Sequence, residues 1–251
     1  MKTCDELKIT HEQRQAGVAL NEICIREGIT LPIVEESRFG FEFFTYRSPE
    51  MQVEMDCFIQ YSKDRKSLLD IGALHGIFSL VFTNMNPGSV AYAFEPSPKP
   101  YKVLSENTLL SGNVKPFNRA LSDGFGVLEM YQEWDHYVLG NPNLESTGAI
   151  VKCFSGDTFC EDYDAVDTCK IDVEGMELMV LKGLQKTIAK NHPLIFLELH
   201  PERVSSYKDV YEIVDMLEGW NYKAIDSRTN LPISYDEIKE FKTGELRLIL
   251  I

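Results

Sequence analysis

The amino-acid sequence predicts an α/β protein built on a doubly wound, mostly parallel sheet, and three observations carry that prediction. Five short, continuously apolar runs follow one another from Ser67 onward: SLLDIG, VAYAFEP, VKPFNRALS, TCKIDVEG and PLIFLELHP. Helix-like stretches near 75–86, 97–111, 175–190 and 201–218 separate most of them. Strands that are apolar on both faces need cover on each side, which helices packed on a parallel sheet supply. The third observation is the tail. NYKAIDS and ELRLILI read as strands joined by the turn-rich Arg228–Pro232 and a short helix over Asp236–Phe241, which suits an antiparallel closing strand.

Taken from the N-terminus, residues 10–27 carry the marks of an amphipathic helix. Thr10 and Gln13 stand at capping-box spacing, Ala16, Leu20, Ile23 and Cys24 form the apolar stripe, and Gly28 sits where a helix-ending glycine belongs. ITLPIV and GFEFFTY read as strands, and Met51 to Tyr61 as a second helix. Residues 1–65 are therefore expected to form a helical and strand cap on a main domain over 66–251. The segment 125–160, with its turn signals and aromatics, breaks the alternation and reads as an insertion over the sheet edge.

Charge narrows the partners. With 25 basic against 39 acidic residues the formal net charge is −14, and no run of Lys and Arg offers the basic stripe that phosphates require. Nucleic acid and anionic membrane are thus not expected as partners. The six cysteines are scattered, with neither a C-x-x-C pair nor a histidine at zinc-ligand spacing, and read as reduced thiols. The first residues, MKTCDELKITHEQRQ, are charged rather than apolar, and no apolar run reaches the ~18 residues of a membrane span, so the expected location is cytoplasmic.

In open α/β sheets, ligands bind outside the carboxyl ends of the strands. The first strand closes with Asp70 and runs into Gly72-Ala73-Leu74-His75-Gly76, where glycines permit a tight turn and close backbone approach to a ligand. The second ends in Glu95 and Pro96, 23 residues after Gly72 for Glu95, where a ribose-binding carboxylate belongs. The third ends in Asn118-Arg119-Ala120-Leu121-Ser122-Asp123, the fourth in Asp172 and Glu174, the fifth in Glu198 and His200. Each carboxylate alone has a structural explanation, since acids favour helix N-termini. Four of five strand ends carrying one is hard to explain that way. A G-x-x-x-G loop preceded by Asp70 does not suit a dinucleotide pyrophosphate. An acidic rim suits a cationic ligand with an ammonium and a sulfonium, which describes S-adenosylmethionine.

The segments LLDIGALHGIFSL, YAFEPSPKPYKVLSEN, the ALSD stretch, KIDVEGMELMVLKGL and IFLELHP resemble the successive motifs of FkbM-family methyltransferases, over about Ser67–Pro201. The resemblance implies a Rossmann-like, seven-stranded sheet in the order 3-2-1-4-5-7-6 with its last strand antiparallel. It also implies methylation of a hydroxyl on a sugar, polyketide or other small molecule. One position departs from the pattern: Leu74 stands where the family usually has Asn, and His75 follows.

By position and resemblance, Glu95 binds the ribose hydroxyls, Asp70 and the backbone of Gly72, Ala73 and Gly76 hold the methionine end, and Asn118, Ala120 and Leu121 approach adenine. Pro96 and Asp172 are further cofactor-binding candidates, Asp172 standing near the reacting methyl. A hydroxyl acceptor is helped by a base, for which Asp172, Glu174, Glu198 and His200 are the candidates. His200 has an equal alternative reading as a brace before Pro201, and His75 is a weaker candidate. A divalent metal on Asp172, Glu198 and His200 is a variant that no tight ligand spacing demands, and none is assigned. Trp134, His136, Tyr137 and Trp220 read as packing more than as a sugar platform, and Met176 with Met179 as core. Oligomeric state is not legible. The rival readings are an NAD-dependent oxidoreductase, a non-catalytic adenosyl-cofactor-binding protein and a nucleobase methyltransferase. The last lacks the (Asn/Asp)-Pro-Pro-aromatic turn after its fourth strand.

Overall fold

The computed structural model describes residues 20–109, 113–133, 136–139, 145–161, 163, 166–203 and 207–251. The expected helix over 10–27 does not extend through its described part. Leu20–Arg26 (β1) is a strand paired antiparallel with Ile29–Val34 (β2), and residues 10–19 lie outside the described residues. Ile23 and Ile25 alternate inward, and Gly28 at φ +83° sits in the tight turn rather than at a helix end. A left-handed glycine serves both purposes, so the glycine alone does not separate the two.

GFEFFTY is also corrected, from strand to helical turns over Arg38–Glu42 and Phe43–Arg47. Phe41 and Phe43 alternate, a spacing that a strand also fits. The helical form instead puts Phe39 edge-on to Phe43 with centroids 5.0 Å apart, and lets Arg47 Nε donate to Glu42 at 2.7 Å. Pro49–Tyr61 (α1) follows, opened by Ser48, whose hydroxyl accepts from Met51 N.

The main sheet has eight strands rather than seven. Ser67–Ile71 (β3), Val90–Phe94 (β4), Val114–Phe117 (β5), Thr168–Ile171 (β10), Leu194–Leu199 (β11), Ala224–Asp226 (β12), Leu231–Pro232 (β13) and Leu246–Leu250 (β14) lie in the order β13-β12-β14-β11-β10-β3-β4-β5. The extra member is the two-residue β13, an edge strand paired antiparallel with β12. Parallel pairing runs from β11 through β10, β3 and β4 to β5, and β14 is antiparallel to both β11 and β12.

VKPFNRALS, read as one strand, is two. Asn118-Arg119 follows β5, and Ala120–Ser122 (β6) joins a separate four-stranded sheet. Its other strands are Gly126–Glu133 (β7), His136–Leu139 (β8) and Glu145–Ser155 (β9), in the order β6-β9-β7-β8, so the segment expected as an insertion supplies most of a sheet of its own.

The helices are Ile77–Met85 (α2), Pro98–Thr108 (α3), Gly156–Cys160 (α4), Glu177–Gly183 (α5), Gln185–Asn191 (α6), Tyr207–Gly219 (α7) and Tyr235–Glu240 (α8). The stretch expected as one helix over 175–190 is broken between α5 and α6 at Leu184. At the end of α5, a Cβ on Gly183 would overlap the Ser122 carbonyl, so glycine lets that helix lie against β6.

Two apolar layers flank the main sheet. One gathers Leu69, Ile171, Leu181, Ile195 and Ile213. The other joins Ile33, Phe41 and Phe58 of the N-terminal segment to Leu68, Phe78, Phe82 and Phe196. The segment before Ser67 thus shares a core with the sheet it covers. Among the described residues no helix is long and apolar enough to cross a membrane.

Candidate active site

A cavity opens where β3, β4 and β10 end. Gly72 and Leu74 come from the turn after β3, Glu95, Pro96 and Ser97 from the turn after β4, Pro100 from the first turn of α3, and Arg119, Ala120 and Leu121 from the β5–β6 junction. Asp172, Val173, Glu174 and Met176 follow β10, and Leu139 of β8 contributes a wall from the second sheet. Four of these turns are brought together by strand register alone, since Ile71 pairs with both Phe94 and Ile171, and Phe94 with Phe117.

Gly72 is the position where the backbones crowd. Its φ is +83°, its N–H donates to the Phe94 carbonyl at 2.9 Å, and a Cβ there would overlap the Asp172 carbonyl. Only glycine combines that φ with that approach. Leu74, φ +49°, is half exposed, and its N–H donates to Glu95 Oε2 at 3.0 Å.

Glu95 is 5% exposed, and Ser97 N donates to its other oxygen, Oε1, at 2.7 Å. Each carboxylate oxygen accepts one backbone hydrogen bond and keeps further lone pairs toward the cavity. Burial raises its pKa to about 7, with the Ser97 and Leu74 N–H groups opposing the rise.

Lys170, in the middle of β10, went unnoticed in the sequence. It is buried, its Nζ lies 3.0 Å from Asp172 Oδ2, and it sits 4.6 Å from the Phe78 ring centroid. Burial alone would lower its pKa, but Asp172, Glu54, Glu198 and Asp70 outweigh that and hold it charged. In return Lys170, then His200, outweighs the burial of Asp172 and holds its carboxyl below the usual range. The available signal was a lysine inside the otherwise apolar run TCKI.

His200 lies behind the cavity wall. Its Nδ1 is 2.8 Å from Glu177 Oε1, an oxygen that also accepts from Gly175 N, and its Nε2 is 3.4 Å from Glu174 Oε2. Burial would lower the His200 pKa, but the hydrogen bond and charge of Glu177, with Asp172 and Glu198, push it up to about 9. At neutral pH it carries its proton. Glu198 is paired with Arg247 at 2.9 Å, and burial, then repulsion from Asp172 and Glu54, raises its pKa well above the usual carboxylate range. Arg247 also reaches Glu54 of α1 at 3.2 Å.

The sequence-derived set is therefore split. The cavity receives Gly72, Glu95, Pro96, Ala120, Leu121, Asp172 and Glu174. Asp70 is fully buried instead, taking a hydrogen bond from Ser79 Oγ at 2.6 Å, and burial raises its pKa. Ala73 and Gly76 form the turn without lining the cavity. Asn118 Nδ2 donates to the Glu95 and Pro96 carbonyls, both at 3.0 Å, and so braces the turn. Glu198 and His200 stand one layer back, and His75 is turned toward Gly40 of the N-terminal segment. Met176, expected in the core beside Met179, lines the cavity because it precedes α5 and faces out of the turn. Trp220 packs on the main core. Trp134 and the side chains of His136 and Tyr137 lie outside the described residues.

A mostly parallel sheet closed by an antiparallel strand, with acids gathered at the ends of β4 and β10 beside the glycine turn after β3, defines a methyltransferase-like, Rossmann-type fold. The chain belongs to the FkbM methyltransferase family: residues 70–224 match the Methyltransferase FkbM domain. It is 26% identical over 146 residues to the hexuronic acid methyltransferase AglP of Haloferax volcanii, covering 57% of this chain and 59% of that protein. It is 30% identical over 158 residues to the methyltransferase sdnD of Sordaria araneosa, covering 47% of this chain and 60% of that one. The chain thus spans about three fifths of these curated relatives. The crystal structure of the FkbM methyltransferase from Methylobacillus flagellatus KT superposes with a TM-score of 0.52 at 15% identity, over 84% of this chain and 52% of that one.

Proposed function

We propose that this chain is an S-adenosylmethionine-dependent O-methyltransferase acting on a hydroxyl of a sugar, polyketide or other small molecule. The observation that carries the reading is the Glu95 carboxylate, buried, oriented by two backbone N–H groups and facing a cavity whose floor is the glycine turn after β3. A ribose diol needs such a preoriented acceptor pair. Glu95, Asp172 and Glu174 against Arg119 favour a cationic ligand over a pyrophosphate.

S-Adenosylmethionine, when bound, supplies a methyl group on a positively charged sulfur and leaves as the neutral thioether. Glu95 would hold its ribose, the Gly72–Leu74 backbone its amino-acid end, and Ala120 and Leu121 the adenine. Asp172, kept ionised by Lys170, orients the acceptor hydroxyl by accepting its hydrogen bond and takes its proton as the oxygen–methyl bond forms. Positioning of that oxygen supplies most of the rate in a displacement of this kind. A carbohydrate acceptor is favoured by the likeness to a hexuronic acid methyltransferase.

Calorimetric titration with S-adenosylhomocysteine, run beside NAD, tests the cofactor. Glu95→Ala is expected to abolish binding of the former. Asp172→Ala is expected to bind within about threefold of the wild type but to stop methylation of hexuronate-bearing glycans or another accepted hydroxyl. Affinity for NAD alone, or full turnover by Asp172→Ala, would overturn the assignment.

A further inference from the structure

Resting on the methyltransferase reading, we propose a second ligand at the same site: a divalent cation held by Asp172, Glu174 and His200 beside the acceptor end of the cavity. One donor atom from each of these residues lies within 4.8 Å of the others. Donors held about 2.1 Å from an ion lie about 3 to 4.2 Å from one another, so the set closes on an ion with sub-ångström shifts.

The acids alone would not make a site. His200 adds the independent observation: it is 3% exposed, and its Nε2 is buried, makes no hydrogen bond and is aimed at the carboxylates, 3.4 Å from Glu174 Oε2. The proton that Nε2 carries at neutral pH passes to solvent when the ion takes its place. Its other ring nitrogen is already engaged by fully buried Glu177 at 2.8 Å, whose oxygen is fixed in turn by Gly175 N at 2.9 Å. A carboxylate on the far nitrogen fixes ring orientation and raises ligand basicity, the usual support of a metal-binding imidazole. Asp172 is pinned through Oδ2 by Lys170 at 3.0 Å, which sets the direction of Oδ1. Arg203 reaches Glu174 Oε2, leaving the second oxygen of that carboxylate.

The neighbouring trio of Glu198, His200 and Glu245 is the poorer choice, because neither of its acids lines the cavity, Glu245 is exposed, and a single guanidinium, Arg247, bridges the two. Asp172 and Glu174, by contrast, line the cavity while His200 closes its back. Two carboxylates and one imidazole suit manganese and its oxygen-preferring relatives better than copper. An ion there meets the acceptor oxygen directly and acidifies its hydroxyl as a Lewis acid, the released proton passing to solvent.

The test starts from protein dialysed against EDTA and then freed of it, titrated with MnCl2 and followed by electron paramagnetic resonance of free Mn²⁺. One bound ion per chain is expected, and spin-echo modulation of the loaded wild type should show nitrogen coupling from His200. Glu174→Gln, which is partly exposed and should fold, is expected to weaken Mn²⁺ binding at least tenfold, with circular dichroism confirming the fold. Mn²⁺ binding weaker than millimolar, a bound ion without nitrogen coupling, or unchanged affinity in folded Glu174→Gln would each overturn the proposal. S-Adenosylhomocysteine titration of the same EDTA-treated protein separates the two ideas. Its binding without Mn²⁺ binding removes the metal alone, and the reverse removes the cofactor reading alone.

Discussion

At the residue scale, Leu74 carries a cost that the sequence shows only as an unusual letter. A non-glycine residue at φ +49° is held about 1–2 kcal/mol above its preferred conformations, and Asn tolerates this region far better. The side chain is half exposed, so little packing offsets that cost. Leu74→Asn is expected to raise stability by about 0.5–1 kcal/mol in urea unfolding while keeping the N–H that Glu95 uses. A loss of stability would mean that Leu74 packs more than its exposure implies. Glu95 gives a second residue-scale expectation. Its folded pKa, about 7, lies above the value of 4.5 expected when unfolded. Its contribution to stability is therefore fully present below about pH 4.5 and is lost as pH rises through 7, by an amount on the order of 3 kcal/mol. Glu95→Gln should remove that component, so the difference in unfolding free energy between variant and wild type should grow in the variant's favour from pH 5 to pH 8. A difference independent of pH would sink the assignment of that pKa.

At the element scale, the misreadings of residues 20–27 and of GFEFFTY share one cause. A short run in which apolar side chains recur every second residue, or in which a glycine follows a stripe, fits more than one local structure until a partner surface chooses. β1 is a strand because β2 pairs with it, and the Phe39–Phe43 region is helical because Phe41 and Phe44 then reach the sheet-covering layer, Phe44 lying 5.1 Å from Phe78. The parallel strands were legible because burial on both faces makes each a continuous apolar run, as in LIFLEL. Phe41, 1% exposed, belongs to the layer shared by the N-terminal segment and the sheet. Phe41→Ala should cost about 3–5 kcal/mol. Guanidinium unfolding should show that loss in one transition, and an early separate transition would show instead that the N-terminal segment unfolds alone.

At the scale of the whole molecule, buried charge ties distant parts of the chain together. Arg247 from β14 contacts Glu54 from α1 and Glu198 from β11, Lys170 of β10 contacts Asp172 just after it, and the two groups act on each other through their charges, far apart in sequence. Such groups stay buried only when paired, and removing one partner leaves another uncompensated. The N-terminal segment therefore reaches the wall behind the cavity through Glu54 as well as through its apolar face. The overall charge of −14 is not spread evenly with respect to function. Part of it gathers at the strand ends, where, among the described residues, Arg119 is the one basic residue lining the cavity.

By itself the sequence determined the alternation of buried strands and helices, the glycine turn and the acids at the strand ends, because each is written within a few consecutive residues. Only the tertiary structure decided which of those acids face the cavity. Asp70 and Asp172 sit in similar local sequence on neighbouring parallel strands, yet Asp70 lies inside β3 level with Lys170, where Ser79 holds it in the core, while Asp172 lies one residue beyond β10, where Lys170 holds it at the wall. The same holds for Lys170, Glu177 and Met176, whose roles depend on neighbours brought from other strands or set by a turn. Local pattern fixes what a segment can become. The free energy of burying and pairing a side chain is set by what packs against it, and that is decided only when the whole chain has folded.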